Sequence, residues 1–206
     1  MTSESAFRVA FWVLLGGLLV MRGYFSIRVR RAGERLLPDQ EAVEREGRGM
    51  FVARVVGFVS VIAWLVLYAL NPPWMQALAI PLPGWLRWAG FGLGLASLAL
   101  WTWTQAMLGK EWSAQLQLRK EHHLVTTGPY AWVRHPLYTA MLGWAASLAL
   151  VTANWVFAAL AALSIVGVVA RVPREEQMMI GEFGEEYRAY MQRTGRFFPR
   201  LARRSS

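Results

Sequence analysis

A chain of 206 residues that is 55% hydrophobic and only 17% charged, with eleven tryptophans, is too apolar for a soluble core of its size and falls in the membrane class. It has no cysteine, which excludes disulfides, thiolate metal sites and a cysteine nucleophile. A net charge of +9 would suit nucleic acid, but the basic residues flank apolar runs instead of forming an aromatic-interleaved patch, so no nucleic-acid partner is expected.

A bilayer core asks for about 20 apolar residues of helix, because every backbone amide must be satisfied within its own segment. Five segments meet or approach that length: Val9 to Ile27, Phe51 to Leu70, Trp88 to Leu108, Leu137 to Thr152 and Trp155 to Ala170. Only Ala153 and Asn154 separate the last two, which predicts a tight helical hairpin. The first segment does not read as a cleaved signal, since no small-residue cleavage site follows it and its positive charge lies after the apolar run, at Arg28, Arg30 and Arg31. The segment 28–49, with Pro38 and mixed charges, reads as a solvated connection. It holds six arginines, the link 109–136 holds Lys110, Arg119, Lys120 and Arg134, and the tail from Arg171 holds eight more arginines. Together these are 18 of the 22 basic residues, whereas the stretch Asn71 to Pro83 has none. The positive-inside rule therefore places the N-terminus outside and the C-terminus in the cytoplasm. Twenty of the basic residues are arginine, a bias that fits a GC-rich bacterium and hence an inner membrane. Arg22, Arg54 and Arg87 lie near span ends, where snorkelling is the plain expectation.

The expected architecture is an all-α polytopic transmembrane bundle of about five spans. Residues 1–206 form a single membrane domain, with three N-terminal spans in 1–108. Beyond the fifth span, Pro173 suits a first helical position, and glutamates alternate with Met178, Met179, Ile180, Phe183 and Tyr187. A cytoplasmic amphipathic helix from about Pro173 to Gln192, lying on the membrane surface among the lipids, is expected.

Membrane insertion alone does not call for the punctuation of HHLVTTGPYAWVRHPLYTAM, residues 122–141. Gly128 and Pro129 predict a turn, and Pro136 can open the fourth helix because its missing amide proton costs nothing there. Arg134 and His135 then stand at a helix N-terminus, where free amides, a positive dipole and a guanidinium favour a carboxylate or phosphate. No metal site is expected: His122 and His123 are adjacent, and no third ligand stands at a zinc-like spacing. Tyr130, Trp132 and Tyr138 also suit an interfacial aromatic belt. Arg171 and Glu175 are four residues apart, the spacing of an ion pair on one helix face, although Pro173 lies between them. An ionised pair at a span end calls for polar partners and so suggests a cavity.

The run HHLVTTGPYAWVRHPLY, followed after the hairpin by RVPREEQMMIGEFGEEYRAY, resembles the isoprenylcysteine carboxyl methyltransferase family and related phospholipid and thiol methyltransferases over roughly Gln115 to Pro199. The resemblance implies S-adenosyl-L-methionine as methyl donor, enclosed within residues 109–206 between the link and the C-terminal helix. It also implies a lipophilic or prenylated acceptor arriving from the bilayer. By position it implies donor contacts from Gln115, His122, Leu124, Val125, Tyr130, His135, Pro136, Tyr138 and Glu175, with His123 and Leu137 between them. Arg171 is implied to orient the acceptor. Pro173 departs from a stretch commonly acidic or polar in the family. The expected reaction is carboxyl O-methylation of an isoprenylcysteine-like substrate. Competing expectations are phospholipid N- or thiol S-methylation, an NADPH-dependent membrane reductase, whose family also carries an arginine-histidine-proline turn, and a non-catalytic membrane binding protein.

Overall fold

A chain crossing hydrocarbon must bond its backbone internally, and this one does so with helices. The computed structural model describes residues 3–31, 48–108 and 124–200. Within them run α1 (Ser3–Arg31), α2 (Arg48–Leu70), α3 (Gly84–Leu108), α4 (Pro136–Thr152) and α5 (Trp155–Arg193). Short 3-10 turns occupy Pro73–Leu78 and Gly128–Ala131. Among the described residues there is no strand, only the isolated bridges Ala79–Asn154 and Val133–Gly195. The architecture is thus all-helical, and the five helices cover the five expected segments. Glu4–Arg31 and Trp155–Phe183 are long and apolar enough to cross a membrane, and Val55–Leu70 and Pro136–Thr152 are shorter apolar helices. Large apolar side chains such as Leu19, Val20, Leu163 and Val166 remain exposed, as a lipid-facing surface would leave them.

Small residues set the closest packing, between α3 and α4. A Cβ added at Gly94 would lie 2.3 Å from Ser147 Oγ, and one added at Gly143 would lie 2.4 Å from Ser97 Oγ. Missing side chains let two backbones approach in an environment that offers no hydrophobic drive between helices. Phe11 and Leu14 of α1 complete this core with Tyr68 of α2, Trp101 of α3, Trp144 and Leu148 of α4, and Phe157 of α5. The rings of Phe11 and Tyr68 stand 4.7 Å apart, and those of Tyr68 and Phe157 5.4 Å apart.

The hairpin forms as expected. Ala153 closes α4 in the left-handed region at φ 47°, and the Asn154 side chain caps α5 by accepting from the Val156 amide at 3.0 Å. The Ile80 amide donates to the Ala153 carbonyl, so the stretch Asn71 to Pro83 and the hairpin turn share one end of the bundle. Arg87 is also at this end, and it does not snorkel. Its side chain is 7% exposed, its Nε and Nη2 donate to the Val151 carbonyl at 3.1 and 3.0 Å, and it pairs with Glu4. Its guanidinium lies 3.8 Å from the centre of the Phe7 ring. A buried arginine persists because its donors are met; burial spacing alone could not have revealed those partners.

The expected separate helix from Pro173 to Gln192 is instead the continuation of α5. Pro173 sits inside the helix and leaves the Val169 carbonyl without its usual donor, yet helical backbone persists through it. The break comes at Gly184, with φ 53° and ψ −124°, a conformation that glycine alone adopts readily. As a result, the end of the fifth apolar segment is rigidly continuous with the helix that carries Arg171, Glu175 and Glu176.

Candidate functional site

The site is built where the link, the start of α4, the middle of α5 and the tail meet, at the end of the bundle opposite the hairpin. Gly128 turns at φ 59°, and a side chain there would meet Met107 of α3. The following 3-10 turn buries Pro129 and brings the chain to His135, which stands at the N-cap of α4 with Pro136 opening the helix. Trp132 lies edge-on to Trp103 at 5.9 Å and anchors this link to α3.

Two pairs of side chains from distant parts of the sequence, His135 with Tyr138 and Arg171 with Glu175, converge here. Tyr138 Oη and Arg171 Nε both donate to Glu175 Oε1 at 2.7 Å. His135 Nδ1 stands 3.9 Å from Glu175 Oε2, and the His135 and Tyr138 rings are 5.8 Å apart. Glu175 is 15% exposed and Arg171 41%, so the pair lies at the border between interior and surroundings. The helix carries on through Pro173, and the i, i+4 pair expected from sequence forms across it.

A second carboxylate lies deeper. Glu176, 5% exposed, accepts from Arg134 Nε at 2.9 Å and from Arg196 Nε at 3.3 Å, with Arg196 Nη2 on its other oxygen. His135 Nε2 is buried 3.5 Å from Glu176 Oε1 without the alignment of a hydrogen bond, so the imidazole sits between two glutamates. Burial pushes its pKa below the ordinary histidine value, outweighing the opposite pull of Glu175 and Glu176. Burial raises the phenols of Tyr130 and Tyr187 and pushes that of Tyr190 up to about 12. With their pKa values raised by burial, none of the three phenols is disposed to act as a base.

The anion-receptive helix terminus expected around Arg134 and His135 takes a different form. The Arg134 guanidinium is spent on Glu176 and on the Met191 and Thr194 carbonyls. The Arg134 and His135 amides donate to the Gly195 and Arg196 carbonyls at 2.8 and 3.1 Å. The tail, not an external anion, satisfies these groups.

Of the donor contacts implied by resemblance, Tyr138, His135 and Glu175 meet in this cluster. Pro136 is buried, and Leu137 packs against the core. Tyr130 is tied to α5 through its carbonyl, which accepts from Tyr190 Oη at 2.7 Å. Leu124 and Val125 are half-buried at the start of the described link, and Gln115, His122 and His123 lie outside the described residues. Sequence reasoning missed Arg196, Thr194 and Tyr190 as parts of this region. Their partners are 20 to 60 residues away, and no spacing rule connects them.

Residues 90–181 match the model of the isoprenylcysteine carboxyl methyltransferase family. Among curated proteins the chain is similar to the nickel-cobalt-cadmium resistance protein NccN of Alcaligenes xylosoxydans xylosoxydans, with 37% identity over 48% of this chain and 47% of that protein. It is also similar to the cobalt-zinc-cadmium resistance protein CzcN of Cupriavidus metallidurans, with 34% identity over 61% of this chain and 59% of that one. Protein-S-isoprenylcysteine O-methyltransferase of Rattus norvegicus shares 33% identity over 53% of this chain and 39% of its own length. The matches thus span roughly half the length of these relatives. The fold is similar to that of a eukaryotic intramembrane Ras methyltransferase, an isoprenylcysteine carboxyl methyltransferase, with a TM-score of 0.55 at 19% identity over 92% of this chain and 67% of that one.

Proposed function

Residues 90–181, a little under half of the chain, match the isoprenylcysteine carboxyl methyltransferase family, and on that basis we propose that the chain is a five-span membrane enzyme of this family that transfers a methyl group from S-adenosyl-L-methionine to a lipophilic acceptor. The observation that carries this reading is the convergence of Tyr138, His135 and Arg171 on Glu175, which joins the two separated halves of the motif around one half-buried carboxylate. The donor set suits such a molecule. A sulfonium nucleoside with an amino-acid end wants an anion for its ammonium and flat walls for its rings, and Glu175 with Tyr138 and His135 supplies them. The donor supplies an electrophilic methyl group, and the protein's part is to align an acceptor in line with it and to exclude water.

A carboxylate acceptor is already nucleophilic and needs orientation more than a base, for which Arg171 is suited: a planar, permanently charged guanidinium placed where the apolar part of α5 ends. Its Nε bond to Glu175 couples acceptor and donor ends of the site through one hydrogen bond. Arg171→Lys keeps the charge beside Glu175 but loses the fork. We expect donor affinity to change little and the rate on a carboxylate acceptor to fall on the order of a hundredfold, as for a misplacement of about 1 Å. Single-turnover methylation against prenylated thiols, phospholipid amines and simple thiols checks this. An unaltered rate returns Arg171 to an ordinary interfacial arginine. Carboxyl O-methylation of an isoprenylcysteine-like compound is the preferred member of that panel, because the fixed arginine favours an anionic acceptor over an amine that must lose a proton.

Access to a cytoplasmic donor requires the site end of the bundle to face the cytoplasm, as the arginine-rich segments indicate. A reporter fused after Ser206 is therefore expected to read cytoplasm, and one inserted between Asn71 and Pro83 to read outside. The reverse pattern removes the site from its donor.

A further inference from the structure

The described chain does not stop at the end of α5 but turns back onto the site. After Arg193 the Gly195 amide donates to the Trp132 carbonyl at 3.1 Å, and the Gly195 and Arg196 carbonyls accept from the Arg134 and His135 amides. Thr139 Oγ1 donates to the Phe197 carbonyl at 2.9 Å. The Phe197 ring lies 6.1 Å from that of His135, on which Tyr138 also packs at 5.8 Å. Arg196 pins the segment from its side-chain end by its ion pair with Glu176, which is itself held by Arg134. The result is a short strap laid along residues 132–139, bonded at backbone and side chain alike.

We infer that the strap Thr194–Phe197 is a positioning element of the donor site, with Arg196 and Phe197 fixing the ring of His135 from outside. The inference rests on the donor reading for its catalytic meaning, but the grip on His135 is a property of the fold. The His135 imidazole makes no aligned hydrogen bond of its own at Nε2. Its orientation is therefore set by what surrounds it: Glu176 at 3.5 Å, Glu175 at 3.9 Å, Tyr138 on α4 and Phe197 on the strap. Arg196 acts on this ring through Glu176. Arg196 neutralises and orients the carboxylate, the carboxylate faces Nε2, and the backbone carbonyl of the same residue holds the His135 amide. A ring held only by packing and by a steered carboxylate loses its orientation when either is loosened, and binding geometry follows.

The test uses the full chain in detergent, with Arg196→Ala, Phe197→Ala and the conservative Arg196→Lys. Arg134 stays on Glu176 in all three, so the buried carboxylate keeps a partner. The first readout is the nitrogen NMR spectrum of the imidazoles. The chain has three histidines, and the signals of His135 are identified by their loss in His135→Gln. The second is calorimetric affinity for S-adenosylhomocysteine. We expect Arg196→Ala and Phe197→Ala to shift the His135 signals and to weaken binding about tenfold, the scale of one charge-assisted contact. Arg196→Lys should recover part of both. His135 signals unmoved by either alanine variant overturn the inference, as does full binding by variants whose His135 signals have moved. Should the parent chain bind no S-adenosylhomocysteine while the His135 signals still move, the strap's grip on the ring stands and the donor reading is what fails.

Discussion

Glu176→Ala is expected to destabilise the folded protein by about 3–5 kcal/mol, the cost of leaving a buried charge without its partner. The Arg134 side chain is 8% exposed and donates its Nε to Glu176, so removing the carboxylate leaves a buried guanidinium without its counter-charge, facing only the Met191 and Thr194 carbonyls. Arg196 is 46% exposed and can turn to water, and its share of the loss is small. Replacing both Arg134 and Glu176 by methionine should recover much of the loss, because an apolar pair of similar volume removes the stranded charge along with the ion pair. Thermal unfolding in detergent of Glu176→Ala and of the double methionine variant measures the loss and its recovery. A Glu176→Ala midpoint equal to that of the parent would mean that Arg134 finds other partners or that Glu176 is solvated.

Glu175→Gln carries the second large effect, and it falls on binding instead of stability. Glutamine retains an acceptor for Tyr138 Oη and Arg171 Nε, both 2.7 Å from Glu175 Oε1 in the parent, so the local fold should survive. What it removes is the negative charge proposed to meet the donor's ammonium. A charge-assisted contact of this kind is worth about 1.5–3 kcal/mol, so affinity for S-adenosylhomocysteine should fall by about ten- to a hundredfold. An unchanged affinity in a variant that unfolds at the parent's midpoint would take Glu175 out of the donor site. The two adjacent glutamates thus have separable assignments. Glu175 faces the proposed ligand and Glu176 faces the scaffold, and their variants should fail in different assays.

Much of this organisation is legible in the sequence, where one-dimensional rules apply. Hydropathy places the five helices, Pro136 opens α4, and Ala153 with Asn154 makes the hairpin turn. The four-residue spacing of Arg171 and Glu175 foretells their contact. Where the rules reach only a local preference, tertiary context prevails. Pro173 favours a helix start, yet the apolar face of α5 continues past it and the break falls at Gly184. Arg87 looks like a snorkelling residue because its partners, Glu4 and the Val151 carbonyl, are 83 and 64 positions away. Arg134 looks like an anion-binding group for the same reason, since Glu176 lies 42 residues further along and the tail carbonyls further still. The sequence offers those charges and amides to an external ligand, and the fold satisfies them from within. Around Glu175 the fold brings together Tyr138, Arg171 and His135, which stand on the two separated halves of the motif.

The central claim is that this cluster binds a sulfonium nucleoside and not a nicotinamide nucleotide, and calorimetry of the detergent-purified chain against S-adenosylmethionine, S-adenosylhomocysteine and NADPH tests it most directly. The account predicts saturable binding of the first two, weakened by Glu175→Gln, and none of NADPH. Binding of NADPH with no response to either S-adenosyl compound would contradict it.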